Sequence, residues 1–128
     1  MNEEVIAKEV VDSALKIHRV LGPGLLESSY ESCLAYELKK RGFKVESQKP
    51  LPLIYEEVKL QAGYRVDLLI ENKFIIEIKS VEALNDVHLA QILTYLKLNN
   101  SKLGLLINFN VSLLKNGTRR VINKDYTN

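Results

Sequence analysis

Two strongly apolar segments separated by only three polar residues constrain the fold of this chain more than any other feature. The segments are Tyr64–Ile70 and Phe74–Lys79, and the residues between them are Glu71-Asn72-Lys73. Each segment has the length and the composition of a β-strand, since both are rich in branched aliphatic residues. The chain is therefore predicted to contain a β-hairpin with a largely buried face.

The hairpin places charged residues opposite one another. If residues 71–73 form the loop, equal steps back from each end set Asp67 opposite Glu77 on one face, with Cβ atoms about 5 Å apart. Lys79, two residues beyond Glu77, points to the same face. The opposite face is then entirely apolar, with Val66, Leu68, Ile70, Phe74, Ile76 and Ile78. A two-residue loop would shift the pairing by one position, so this arrangement depends on the loop length.

Two adjacent carboxylates repel each other when both are ionised, and a cation between them removes the conflict. Carboxylate, carbonyl and water oxygens suit Mg²⁺ or Mn²⁺, which can activate water and polarise a phosphoryl oxygen. The alternative is that Asp67, Glu77 and Lys79 form only the solvated side of a hairpin, as structural ion pairs often do. Leu69 and Ile75 share the charged face, which makes a purely solvated face harder to explain.

The rest of the chain changes from helical to strand periodicity at Gly42. Apolar residues at helical spacing predict helices over Glu3–Leu21, Leu25–Arg41 and Asn85–Leu98. Strands are predicted over Phe43–Ser47, Leu53–Tyr55, Val58–Leu60, Leu103–Phe109 and Thr118–Asn123, in addition to the hairpin. The prolines in Lys49-Pro50-Leu51-Pro52 suggest an edge strand or a crossover. The expected class is α/β or α+β with a mixed sheet.

Composition excludes several classes of protein. The 128 residues suit a single domain over residues 1–128, and no apolar run approaches the roughly 18–20 residues of a membrane helix. The polar, acidic start resembles no signal peptide, and one cysteine rules out an internal disulfide. We therefore expect a cytoplasmic protein with no membrane partner. A net charge of +2 permits nucleic-acid binding without indicating it.

Two more motifs lie on the predicted helices. The second helix opens as Gly24-Leu25-Leu26-Glu27-Ser28-Ser29-Tyr30, or G-x-x-E-x-x-Y, and the third contains Gln91-Ile92-Leu93-Thr94-Tyr95-Leu96, or Q-x-x-x-Y-L. Between them lie Asp67 and Glu77-Ile78-Lys79. With these four motifs in this order, the chain resembles the GxxExxY family, a branch of the PD-(D/E)xK nuclease-like superfamily, from about Val5 to Ile122.

The resemblance implies a restriction-endonuclease-like αβββαβ core, with a mixed central β-sheet flanked by helices. It also implies a Mg²⁺ or Mn²⁺ site made by Asp67, Glu77 and the backbone carbonyl of Ile78, with Glu27 as a further candidate ligand. The catalytic residues implied in this way are Glu27, Asp67, Glu77, Lys79 and Gln91. Val66 stands where many members have the proline before the aspartate.

Three aromatic side chains are candidates for substrate contact: Tyr30, His88 and Tyr95. On the third helix His88, Gln91 and Tyr95 share one face, beside the apolar stripe, from which polar groups could reach a phosphate or orient Lys79. Tyr30, His88 and Gln91 also have plainer interpretations. Tyr30 suits packing in the core, His88 suits the start of a helix, and Gln91 suits a solvated position on a helix.

Three functions remain open from the sequence. The first is a divalent-metal-dependent nuclease acting on DNA or RNA, with DNA the expected partner and a homodimer the expected way to cut both strands. The second is a non-catalytic nucleic-acid-binding or protein-interaction module on a nuclease fold. The third is a structural role, with the charged face as a subunit contact. The complete set of implied catalytic side chains favours the first.

Overall fold

A computed structural model, which describes residues 2–61 and 63–128, has three helices and seven strands. The helices are α1 (Glu3–Leu21), α2 (Glu27–Lys40) and α3 (Asp86–Leu98), and a short 3₁₀ turn spans Leu114–Gly117. The strands are β1 (Val45–Pro50), β2 (Leu53–Tyr55), β3 (Val58–Leu60), β4 (Arg65–Ile70), β5 (Phe74–Lys79), β6 (Leu103–Asn108) and β7 (Thr118–Ile122). This mixed α/β architecture confirms the predicted fold class.

Five strands form the central sheet in the order β1-β4-β5-β6-β7. The pair β5 and β6 is parallel and the other neighbours are antiparallel. Every residue of β6 is buried, as expected for a strand covered on both faces. Strands β2 and β3 pair with each other and form a separate two-stranded ribbon in the part of the chain that connects β1 to β4.

Helices cover both faces of the sheet. Helices α1 and α2 pack on one face, where Val10, Leu34 and Ile76 belong to one fully buried cluster. Helix α3 covers the other face, where Ile92 and Leu96 pack with Ile75. Amphipathic stripes on each helix thus bury the two sides of one sheet, which is the three-layer arrangement that a mixed sheet requires.

Helix ends agree closely with the sequence signals. The Asn2 side chain caps α1 by accepting a hydrogen bond from the backbone N–H of Val5 at 2.9 Å. Helix α2 is shorter than predicted at both ends, beginning at Glu27 rather than Leu25. Gly42 follows it with a φ of 95°, the left-handed conformation expected of a residue that terminates a helix.

The β4–β5 hairpin has the predicted register. Leu68 pairs with Ile76 and Ile70 pairs with Phe74, and this regular pairing ends at Leu68. Asp67 meets Glu77 through its backbone N–H, which donates to Glu77 Oε2. The three-residue loop is therefore the one the chain adopts, with left-handed conformations at Glu71 and Asn72.

Two sequence-based expectations about neighbouring strands were wrong. Strand β1 does not end at Ser47 but continues to Pro50, which is tolerated because β1 is an edge strand. Val66 packs with Leu69 and Ile75 under α3 rather than with Leu68 on the opposite face. The reason is a local irregularity at Asp67, where regular alternation along β4 is interrupted.

Among the described residues, no helix is long and apolar enough to cross a membrane.

Candidate functional site

The carboxylates of Asp67 and Glu77 each accept a hydrogen bond from the backbone of the opposite strand at the end of the β4–β5 ladder. The backbone N–H of Asp67 donates to Glu77 Oε2 at 2.7 Å, and the backbone N–H of Ile78 donates to Asp67 Oδ2 at 2.8 Å. Each carboxylate therefore replaces a carbonyl oxygen of the neighbouring strand as the acceptor. These side-chain acceptors end the regular β4–β5 hydrogen-bond ladder and hold the Asp67 and Glu77 side chains close together.

Burial raises the pKa of both acids. Glu77 is only 4% exposed. Its removal from water, followed by repulsion from the Asp67 carboxylate, raises its pKa to about 8. The pKa of Asp67 is also raised, chiefly by burial, although the hydrogen bond from Ile78 N–H opposes that effect. Within the described part of the chain neither acid has a protein cation within ion-pair distance.

Lys79 lies beside this pair and is held by helix α3. Its Nζ donates a hydrogen bond to Gln91 Oε1 at 3.2 Å. The ammonium favours the ionised forms of Asp67 and Glu77 without approaching either within ion-pair distance. The predicted pairing of the lysine with the polar face of α3 is therefore present in the structure.

Tyr95 lies one turn further along α3 and is almost fully buried. Burial, followed by the charge of Glu77, raises the pKa of its phenol, and a hydrogen bond with Gln91 opposes that change. The structure thus brings Tyr95 close to the site. With 5% of its surface exposed, it offers a substrate little more than its edge.

The first turn of α2 is fixed to the end of β5, immediately after Lys79. Glu27 Oε2 accepts a hydrogen bond from the backbone N–H of Ser80 at 3.1 Å. The Ser80 hydroxyl in turn donates to the carbonyl of Leu25 at 2.6 Å. Glu27 therefore lies at the rim of the site, attached to the strand that carries Glu77 and Lys79.

Tyr30 is placed in the core rather than at the rim. Its side chain is fully buried and stacks on Phe109, with ring centroids 4.4 Å apart. Its hydroxyl donates to the carbonyl of Gly22 at 2.5 Å and accepts from the backbone N–H of Leu25 at 3.1 Å. The substrate contact predicted for Tyr30 is not available to a side chain with no exposed surface. Instead, Tyr30 fixes the turn that positions Glu27.

His88 takes part in a capping box at the start of α3. Its Nδ1 accepts from the backbone N–H of Asn85, and its own backbone N–H donates to Asn85 Oδ1. The helix-start interpretation of His88 is therefore the one that the contacts support. Its other ring nitrogen is engaged by no bond among the described residues.

Two residues at the site were not anticipated from the sequence, Gln48 of β1 and Glu31 of α2. Gln48 Nε2 donates to Glu31 Oε1 at 2.7 Å and to Asp67 Oδ1 at 3.2 Å. Burial, followed by the charge of Asp67, raises the pKa of Glu31. Glu31 follows Glu27 by four residues, so the two share a helix face, and that spacing could have predicted its position.

A model for the PD-(D/E)XK nuclease superfamily matches residues 4–121. The chain belongs to this superfamily. Comparisons with curated proteins and with solved structures found no match. Membership accounts for the mixed sheet flanked by helices and indicates a nuclease-type function. PD-(D/E)XK nucleases generally use divalent metals and act on nucleic acids.

The donor set at the Asp67–Glu77 pair is suited to a divalent cation of this kind. Two carboxylates stand together in a largely buried position, with no cation paired to them among the described residues, and hard cations prefer oxygen ligands. No group of three or more acidic, histidine or cysteine side chains in residues 2–61 and 63–128 is arranged to hold a metal. The protein ligands to a metal would be these two acids and main-chain oxygen, with Glu27 at the rim as a further candidate.

Proposed function

We propose that this PD-(D/E)XK protein is a divalent-metal-dependent nuclease of the GxxExxY branch, which hydrolyses phosphodiester bonds in DNA, with RNA as the other candidate substrate. The observation that carries the proposal is the largely buried Asp67–Glu77 pair, held by backbone N–H groups of the opposite strands, with the Lys79–Gln91 contact beside it. A buried acidic pair is costly unless its charge is used, which favours a functional role over a structural one.

Asp67, Glu77 and the backbone carbonyl of Ile78 are the proposed ligands of Mg²⁺ or Mn²⁺, and Glu27 is a further candidate. When bound, the ion lowers the pKa of a coordinated water and polarises a phosphoryl oxygen. A carboxylate must be ionised in order to bind a cation, so the raised pKa of Glu77 makes binding release a proton near neutral pH.

Lys79 and Gln91 supply the groups that act beside the ligands. The Lys79 ammonium is a mobile point charge with three N–H donors, suited to a phosphate oxygen or to an attacking water. Gln91 accepts one of those donors and limits where the ammonium can lie. Glu27, exposed at the rim on the first turn of α2, faces incoming solvent and can orient a water molecule.

The test is cleavage of mixed DNA and RNA substrates, single-stranded and duplex, with Mn²⁺ or Mg²⁺. The wild type should cleave at least one substrate, and Glu77→Gln, which keeps the shape and removes the charge, should not. Glu82→Gln is the matched control, because Glu82 is an exposed acid five residues away. If the wild type cleaves none of the substrates and Mn²⁺ does not raise its thermal unfolding midpoint, the proposal is wrong.

We also propose that the active form is a homodimer when the substrate is duplex. Cutting two strands requires two sites, and a twofold axis is the commonest way for one chain to provide them. A single-strand-specific enzyme would not need a second site. We therefore expect a dimer if the protein cuts duplex and a monomer if it cuts only single strands.

A further inference from the structure

Gln48 has a backbone conformation that its place in the fold does not explain. Its φ is 53°, in the left-handed region that residues other than glycine rarely adopt. The other described non-glycine residues with positive φ are Glu56, Glu71, Asn72 and Asn100, all in turns between elements. Gln48 alone among the described residues adopts this conformation inside a strand. Strained backbone of this kind is concentrated at functional sites.

The irregularity coincides with Asp67 on the neighbouring strand. Ser47 pairs with Leu68 and Lys49 pairs with Val66, whereas Gln48 and Asp67 form no pair between them. The same position is where Val66 leaves the face expected for it. Both strands are therefore distorted at one point, and the result turns the Gln48 side chain toward Asp67.

The Gln48 carboxamide contacts two carboxylates with one nitrogen. A primary amide nitrogen carries two hydrogens, so one group can donate to both Glu31 Oε1 and Asp67 Oδ1. With Ile78 N–H on Oδ2, both oxygens of Asp67 are then held and its rotamer is fixed. The amide is neutral, so it orients Asp67 without cancelling the charge that a cation would need. A carboxylate oxygen has a second lone pair for that cation.

We propose that Gln48 and Glu31 are positioning residues: Gln48 fixes the orientation of the Asp67 carboxylate, and Glu31 anchors Gln48 from α2. The proposal deepens the metal-dependent function proposed above and rests on it. It gives α2 two separate attachments to the site, since Glu27 binds the end of β5 while Glu31 reaches the edge strand through Gln48. Loss of an outer hydrogen-bond partner of a metal ligand typically weakens metal affinity 10- to 100-fold.

Gln48→Gly separates positioning from folding, because glycine adopts positive φ freely while the side chain and its carboxamide are lost. In the metal-free protein its thermal unfolding midpoint should equal or exceed that of the wild type. Its dissociation constant for Mn²⁺, measured by calorimetry, should rise by about tenfold. Glu56→Gly is the matched control: it relieves a similar φ of 50° in the β2–β3 turn and should leave Mn²⁺ binding unchanged.

Two conservative variants test the chemistry of the bridge. Gln48→Glu keeps the shape of the side chain but, as a carboxylate, has no N–H to donate, so it should speed hydrogen exchange of the Ile78 N–H in the metal-free protein as Gln48→Gly does. Glu31→Gln keeps an acceptor oxygen and should bind Mn²⁺ more tightly than Glu31→Ala. Wild-type Mn²⁺ affinity in Gln48→Gly would overturn the proposal.

A readout without metal distinguishes this inference from the proposed function. If Gln48 holds Asp67, Gln48→Gly should speed hydrogen exchange of the Ile78 N–H severalfold in the metal-free protein, as measured by NMR, and Glu56→Gly should not. Absence of Mn²⁺ binding in the wild type, or Mn²⁺ binding that Asp67→Asn leaves unchanged, would refute the proposed function. Unchanged Ile78 exchange in Gln48→Gly would refute the positioning role in either case.

Discussion

At the scale of single residues, Glu77 is the group whose ionisation depends most on its surroundings. It sits in a strand in which the neighbouring Ile76 and Ile78 are also buried, and Asp67 is its nearest charged partner. With a pKa raised to about 8, Glu77 is mostly protonated at neutral pH in the metal-free protein. Its charge is therefore available only when the pH rises or when a cation displaces the proton.

The first prediction concerns the pH dependence of stability. The folded pKa of Glu77, about 8, exceeds its ordinary value of 4.5, so its contribution to the free energy of unfolding is fully present below about pH 4.5. That contribution is lost as the pH rises toward 8. Chemical unfolding of metal-free wild type and Glu77→Gln between pH 5 and 8 should show wild type losing stability relative to the variant.

Adding Mn²⁺ should reverse this trend, because the ion binds the ionised carboxylate and its affinity should increase up to about pH 8. Stability of the wild type that stays parallel to Glu77→Gln across the whole range would contradict a raised pKa at this residue.

The second prediction separates Lys79 from the metal ligands. Lys79→Ala should abolish cleavage and leave the Mn²⁺ dissociation constant nearly unchanged, because an ammonium does not coordinate a cation. Calorimetry and a cleavage assay on the same preparation test the two halves. Lys39→Ala, an exposed lysine on α2, is the control that should change neither. Loss of Mn²⁺ binding in Lys79→Ala would indicate that the lysine holds the site together instead.

The sequence predicted that Asp67 and Glu77 of the β4–β5 hairpin form the site, but it did not predict the residues that hold Asp67 in place, Gln48 and Glu31. Asp67 and Glu77 were placed by strand register, which follows from a three-residue loop. Glu31 lies among other polar residues of α2, and Gln48 lies one residue beyond the strand predicted over Phe43–Ser47. Nothing in local sequence requires a left-handed conformation at Gln48, since that conformation is selected by contacts with two other elements.

At the scale of elements, Gly104 sets how closely α3 approaches the sheet. A Cβ at this position would lie 2.7 Å from the backbone oxygen of Ile75 and 3.2 and 3.3 Å from Leu96 and Ile92 of α3. The first contact is with the backbone of the adjacent parallel strand, which cannot move aside independently. The absence of a side chain therefore allows β6 to pair with β5 while α3 packs closely over this face of the sheet.

The third prediction is that Gly104→Ala destabilises the fold by about 2 kcal/mol, because overpacking of a close-packed interior usually costs 1–3 kcal/mol. Denaturant unfolding followed by circular dichroism measures the change. Lys102→Ala, an exposed position just before the same strand, is the control and should lie within about 0.5 kcal/mol of the wild type. Stability of Gly104→Ala equal to that of the wild type would show that α3 is free to shift.

Elements with strong periodicity were predicted well, and those fixed by distant contacts were not. Helices α1 and α3 begin and end within one residue of their expected bounds. Strand β1 was predicted to end before Pro50, because the prolines indicated either an edge strand or a crossover and the sequence did not decide between them. The prediction of which sheet face Val66 occupies was wrong, because a side-chain period of two assumes an uninterrupted strand.

At the scale of the whole molecule, basic and acidic residues nearly balance, so the net charge is small. The net charge of +2 comes from 18 basic and 16 acidic residues, and part of the basic surface is already paired, as Arg120 is with Glu4 and Lys16 with Glu37. A single copy therefore offers only a modest positive field to a nucleic acid. Affinity for a duplex would have to come from several phosphate contacts made together, and two copies provide twice as many.

The fourth prediction concerns assembly and salt. Bound to duplex, the protein should have a mass by light scattering of two 14.6 kDa chains, and retention should fall steeply with salt because each phosphate contact releases counterions. Random and defined duplexes should be retained equally, since phosphate contacts carry no sequence information. Arg119→Ala, at an exposed position on β7, should reduce the salt slope by about one if that residue contacts phosphate. A strictly monomeric protein that holds one sequence tightly at high salt would contradict both the dimer and the phosphate-dominated binding, because base contacts alone would then supply the affinity.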